Sequence, residues 1–120
     1  MSRKPPAHVY AQNITLRVCT GVDRWNAPTW AETAVTHVNV QPSSGTTMTK
    51  DNTEVQLSGM LFADSVYTAP ALDWQAQKDA SEAAGQPAMV VFEGHAFTVV
   101  DVAKLFNEFG IFDHWEVGLK

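Results

Sequence analysis

Two short runs of β-branched and aromatic residues, Met89-Val90-Val91-Phe92 and Ala96-Phe97-Thr98-Val99-Val100, flank Glu93-Gly94-His95 and predict a β-hairpin. Gly94 supplies the positive φ that a tight hairpin turn needs. An isolated hairpin is marginal in water, so further strands must cover it, and the chain offers several. Residues 13–19 alternate, with Ile14, Leu16 and Val18 on one face and Cys19 on the other as a half-buried thiol. Residues 34–40 predict a second strand, with Thr36, Val38 and Val40 on one face and Val35, His37 and Asn39 on the other. Residues 53–63 alternate through Val55, Leu57 and Gly59, after which Met60 and Phe62 fall on the opposite face. A slip beside a glycine predicts a bulge or a sharp bend. Trp115, Val117 and Leu119 then share one face of a closing strand.

Five or six short strands with little helix predict a mainly β fold, a small single-domain β-barrel, because closing the sheet removes the edges that invite aggregation. The 120 residues suffice for one core. That domain is assigned to residues 13–120, and residues 1–12, interrupted by Pro5 and Pro6, to an N-terminal arm that orders only against a neighbour. With 45% apolar and 18% charged residues the chain lies outside the composition range of disordered segments. Eight Lys and Arg against thirteen Asp and Glu leave a net charge of −5, the wrong sign for a free-standing nucleic-acid binder. No apolar run approaches the length of a membrane span, so no membrane partner is expected.

The connections are equally readable. Trp25-Asn26-Ala27-Pro28-Thr29-Trp30 sets two tryptophans around a proline and predicts an aromatic loop, in which Trp25 and Trp30 either cap one end of the core or anchor a partner. Residues 42–52 form the longest polar, turn-rich stretch, read either as a mobile surface loop or as a functional one. Residues 73–84 predict a helix, with Asp73 as N-cap and Gly85 and Pro87 as stop signals. Residues 101–112 are ambiguous, since Val102, Leu105, Phe106 and Phe109 match helical spacing while an extended excursion is equally allowed.

No motif for chemistry emerges. The four histidines, His8, His37, His95 and His114, lack the close spacing that sets two imidazoles around a metal. A lone cysteine allows neither an intrachain disulfide nor a multi-cysteine zinc site. Asp64, Asp73, Asp101 and Asp113 could pair in space, but their spacing fits solvated loop ends as well. The expectation is a protein that is not an enzyme and takes no cofactor or metal.

Three segments in order, Leu61-Phe62-Ala63-Asp64 with Ala69-Pro70, the hairpin of residues 90–100, and His114-Trp115-Glu116-Val117-Gly118-Leu119, resemble the minor capsid proteins of tailed phages. Thr36-His37-Val38-Asn39-Val40 is similar to that family's second strand. The resemblance spans residues 25–120; residues 71–87 look longer than the family's connection, and the N-terminal arm matches poorly. It implies an SH3-like, stopper-type barrel that acts as a head-completion protein, a homo-oligomeric ring of six copies in the virion neck, assembled in the host cytoplasm. Portal and adaptor would lie above it and tail proteins below, with transient, non-specific contact to packaged DNA. On that reading Ser43, Ser44, Gly45, Thr46, Thr47, Met48, Thr49 and Lys50 project into the channel, and Trp25, Trp30, Val9 and Tyr10 make subunit or neck contacts. The rivals are a tail-completion or tail-terminator protein of the same neck, a monomeric SH3-like peptide-binding module with Trp25 and Trp30 in its groove, and a small enzyme with a deep acidic or histidine-lined pocket.

Overall fold

A computed structural model describes residues 9–48 and 52–120. Eight strands and one helix follow in order: β1 (Gln12–Val22), β2 (Pro28–Pro42), β3 (Thr46–Met48), β4 (Glu54–Gln56), β5 (Gly59–Asp64), α1 (Trp74–Ala83), β6 (Met89–Phe92), β7 (His95–Phe106) and β8 (Phe112–Leu119). The fold is mainly β, with one short helix. Six strands pair antiparallel in the cyclic order β1-β2-β5-β8-β7-β6, and β6 returns to β1 through Thr15↔Val91, Leu16↔Val90 and Arg17↔Met89. The sheet thus closes on itself, and β3 and β4 form a separate two-stranded hairpin.

The barrel interior is filled by Ile14, Leu16, Val35, Val38, Leu61, Ala63, Val90, Val99, Trp115, Val117 and Leu119. Trp115, Val117 and Leu119 do share the inner face of the last strand, and Ala63, Leu61 and Gly59 pair with them on that face. Met60 and Phe62 sit on the outer face, and Leu57 lies against Gly118 on that same outer side, so the predicted slip in phase falls between Leu57 and Gly59. It coincides with a change of sheet, from the β3–β4 hairpin into the barrel.

Residues 34–40 depart from simple alternation. Gln12 faces Val38 while Ile14 faces Val35, so β2 carries one more residue than β1 across this interval. His37 takes φ 60° there and is exposed, and the resulting bulge turns both Val35 and Val38 inward. A second bulge lies on β7, where Val99 faces Leu119 but Asp101 faces Gly118. It brings Val99 and Val102 to the same inner face, a spacing of three within a strand. Residues 101–106 are strand and not helix, with Val102 facing Val117 inside the barrel and Leu105 facing His114 on the outer wall.

The predicted hairpin is present, with Glu93 (φ 50°) and Gly94 (φ 79°) as a two-residue turn of the type whose twist suits antiparallel strands. Helix α1 starts where expected: Asp73 caps it by accepting the Ala76 N–H at 3.0 Å, and Gly85 (φ 116°) turns the chain out of it. Trp74, Lys78 and Ser81 form its buried face. Cys19 lies opposite the inner residues of β1 but is only 2% exposed, because the C-terminal turn of α1 covers it: its thiol is 3.7 Å from the Ala84 carbonyl oxygen.

Candidate functional site

The strands of β1 and β7 outrun the barrel, and each leads into a turn that holds an aromatic side chain in solvent. In the first turn the Asp23 carboxylate accepts the N–H groups of Trp25 (2.8 Å) and Ala27 (3.0 Å). The main chain closes the same loop through Asn26 N–H to Asp23 O (3.0 Å) and Asp23 N–H to Ala27 O (2.8 Å), with Asn26 at φ 64°. The second turn repeats every element. Asn107 Oδ1 accepts the N–H groups of Phe109 (2.8 Å) and Ile111 (3.1 Å), Gly110 N–H reaches Asn107 O (3.0 Å), Asn107 N–H reaches Ile111 O (2.8 Å), and Gly110 has φ 76°. Asp and Asn suit the first position because their side chains can bond the backbone two and four residues on. The third residue of each turn is left pointing outward: Trp25 is 76% exposed and Phe109 72%.

These tips are not alike in their surroundings. The Arg24 guanidinium lies 5.1 Å from the centroid of the Trp25 ring, giving the β1–β2 tip a cationic aromatic knob with Val22 also exposed. The β7–β8 tip carries three exposed apolar side chains, Phe106, Phe109 and Ile111. At its base, on the outer barrel wall, lies a groove of about 440 Å³ that includes Tyr10, Asn39, Phe62, Leu105, Phe106 and Asp113 among its lining residues. His114 also lines it, with Nδ1 2.7 Å from Asp113 Oδ2 and Nε2 3.7 Å from Glu116 Oε1. Among the described residues that line the groove the carboxylate is Asp113 and there is no lysine or arginine, while Lys104 Nζ lies 5.8 Å from the Phe106 ring centroid beside it. Substituting Asn107 by alanine removes two of the bonds that fix the β7–β8 turn; we expect a loss of about 1–2 kcal/mol, read as a lower urea midpoint at unchanged slope.

Within the long polar stretch the described residues include one strand of a hairpin. Thr46, Thr47 and Met48 form β3 and pair with Gln56, Val55 and Glu54. The hairpin lies back on the outer wall of β7 and β8, where Thr47 Oγ1 donates to Asp101 Oδ2 at 3.0 Å. Leu57 packs at Gly118, and an added Cβ on that glycine would meet Leu57 Cδ2 at 3.1 Å. Ser43 accepts the Gly45 N–H through its hydroxyl (3.2 Å), and Ser44 is exposed beside them. Thr49 and Lys50 lie outside the described residues. A cleft of about 530 Å³ separates Met48 from Lys78 and Glu82 of α1.

The chain matches no family model and no curated protein.

The structure separates the residues that the sequence grouped. Trp25 and Trp30 do not form one loop: Trp25 is at the turn, whereas Trp30 is within β2, half-buried, with the Arg17 guanidinium 4.7 Å from its centroid. Neither belongs to the core; that role falls to Trp74 and Trp115. Pro28 stands at the first position of β2, where a missing N–H is tolerated, so the strand starts before Trp30. Val9 and Tyr10 pack within their own chain. The Val9 carbonyl accepts from Asn39 Nδ2 at 2.7 Å, and Tyr10, 5% exposed, has its ring centroid 5.8 Å from that of Tyr67. Tyr10 is thus part of the fold and not of a free arm. Phe106, Phe109 and Ile111 were not anticipated as surface residues. The signal for them was present as a repeated pattern, Asp23-Arg24-Trp25-Asn26-Ala27 and Asn107-Glu108-Phe109-Gly110-Ile111.

The carboxylates are distributed over structural tasks. Asp64 accepts the N–H groups of Val66 (2.8 Å) and Tyr67 (3.0 Å), Asp73 caps α1, Asp101 holds Thr47, and Asp113 contacts His114. Lys78 pairs with Glu82 at 2.7 Å within α1, at the edge of the cleft. Among the described residues no group of three or more His, Cys, Asp and Glu side chains is placed to hold a metal ion, and no helix is long and apolar enough to cross a membrane. What the surface offers is contact: two fixed aromatic tips and an apolar groove with an acidic edge.

Proposed function

We propose that this chain is a structural subunit of the tailed-phage neck, a head-completion or stopper protein whose copies form a ring between the portal adaptor and the tail, retain packaged DNA and give the tail its platform. The observation that carries the reading is the pair of matching turns that hold Trp25 and Phe109 in solvent by the same set of hydrogen bonds. Large exposed aromatics are costly for a solitary protein, and fixing them in place lowers the entropy lost when a partner covers them. The resemblance of residues 61–64, 90–100 and 114–119 to the minor capsid proteins of tailed phages supports the neck setting, and the six-stranded barrel suits the SH3-like, stopper-type fold which that resemblance implies. The net charge of −5 is compatible with a ring that retains DNA without gripping its phosphates, so that the DNA can later slide through. Residues 43–50 would border the passage, and the chain would work without catalysis or cofactor.

Electron microscopy of the purified virion neck tests the proposal. A ring of barrels between adaptor and tail into which this chain fits is the expected result; a neck that contains no copy of the chain sinks it. A second reading, a monomeric peptide-binding module, draws on the groove beside Phe62 and Phe106 and not on Trp25 and Trp30, which lie apart. It requires a chain that stays monomeric while a peptide binds in that groove.

A further inference from the structure

Resting on the reading of this chain as a ring subunit, we infer that the ring contact is made by the β1–β2 tip of one copy, Trp25 with Arg24, seated in the groove over Phe62, Leu105 and Phe106 of the next. The first support is topological. In the cyclic order β1-β2-β5-β8-β7-β6 the β1–β2 and β7–β8 pairs lie three positions apart out of six, on opposite walls of the barrel. β1 and β7 are both antiparallel to β6, so they run the same way and their tips lie at the same end. The groove begins at the base of the β7–β8 tip and crosses β8 and β5 to Asn39 and Gln41 of β2, so knob and groove are different patches of one copy, and a contact between them is heterologous, the kind that repeats from copy to copy and can close into a ring.

The second support is chemical. The knob is aromatic and cationic, with the Arg24 guanidinium held 5.1 Å from the indole centroid. The groove is apolar at its floor, through Phe62, Leu105 and Phe106, and acidic at its edge, through Asp113 with Glu116 beyond His114. The symmetric contact of groove against groove is disfavoured by charge, since it opposes two acidic edges. Trp and Arg are the side chains that most often dominate contact energy when seated in an apolar pocket.

Sedimentation velocity of the full chain from micromolar to millimolar concentration decides the matter. Two variants are used, Trp25→Ala, which removes the knob and keeps the groove, and Phe106→Lys, which spoils the groove and keeps the knob. Both side chains are exposed, and far-ultraviolet circular dichroism and thermal melting establish that each variant folds as the parent does. The parent is expected to assemble with concentration, and each variant alone to associate at least about tenfold more weakly. An equimolar mixture of the two should form a dimer and nothing larger, because only one intact knob then meets one intact groove. A variant that assembles like the parent, or a mixture that stays monomeric, overturns the assignment. A parent chain that is monomeric throughout also overturns it, and leaves the neck location to microscopy. A dimeric mixture together with a virion neck lacking the chain keeps the contact and sinks the neck reading.

Discussion

Replacing Trp74 by alanine should lower the stability of the fold by about 3–5 kcal/mol, the usual range for truncating a buried aromatic. Trp74 is the first residue of α1, is 2% exposed and belongs to the core cluster together with Trp115 and Ala63. The space around it is already filled: the void bordered by Leu72, Trp74, Phe112 and Trp115 measures only about 30 Å³. The walls that would have to collapse onto the missing indole are strands of a hydrogen-bonded ring, so the cavity persists and its cost adds to the lost transfer energy. Domains of this kind have total stabilities of about 5–15 kcal/mol, so the loss is a fifth of the total or more. Urea unfolding monitored by circular dichroism checks it. A drop smaller than about 1 kcal/mol would mean that α1 is laid on the barrel and not anchored in it.

Ser81→Ala is expected to be nearly as damaging for a side chain so small, with a loss of about 2–3 kcal/mol. The Ser81 hydroxyl is fully buried, accepts the Cys19 N–H at 2.8 Å and donates to the Gln86 carbonyl at 2.8 Å. It therefore ties the end of α1 both to β1 and to the chain that leads into β6. Cys19 stands at a register shift of the β1–β2 ladder, between Cys19 and Gly21. Alanine leaves that buried N–H without its partner at the cost of its desolvation, which exceeds the net worth of an ordinary hydrogen bond. The Arg17–Glu32 pair is a useful contrast. Its Nε–Oε2 distance is 3.2 Å, but Glu32 is largely in solvent, and breaking it should cost less than about 1 kcal/mol. Equilibrium unfolding of the two variants side by side tests the ranking; equal effects would contradict the role given to Ser81.

Both variants concern the one element that is not a strand, and this element was among the most legible in the sequence. Asp73, the Ala- and Gln-rich run and Gly85 specify α1 through interactions only a few residues apart. The same is true of the Glu93-Gly94 hairpin and of the face shared by Trp115, Val117 and Leu119. Misreadings arose where pairing partners are distant. The bulge at His37 depends on what β1 opposes to β2, and the bulge near Val100 on what β8 opposes to β7. A bulge resets alternation, so Val99 and Val102 acquire the spacing of a helix while remaining in a strand. The spacing of Val102, Leu105, Phe106 and Phe109 has no such common face behind it: Val102 is inside the barrel, Leu105 on the outer wall and Phe109 in the turn.

The surface divides in the same way. The tendency of residues 23–27 and 107–111 to form matching Asx turns with an outward aromatic is written in each pentapeptide, because the bonds that make them are local. Which tryptophan is exposed was not: Trp25 and Trp30 are of equal hydrophobicity and nearly adjacent, and only the register of β2 against β1 puts one in the turn and the other beneath Arg17. The polar stretch of residues 43–48 is likewise loop-like in composition, and becomes a docked hairpin because Gly118 and Asp101, more than forty residues away, offer Leu57 a seat and Thr47 an acceptor. The sequence by itself determined α1, the Glu93-Gly94 hairpin, the inner face of β8 and the two Asx turns, whose causes are local. Only the tertiary structure decided the phase of each long strand, the burial of Trp74 and Tyr10, and the placing of the two tips on opposite walls, because those depend on how a six-stranded sheet closes.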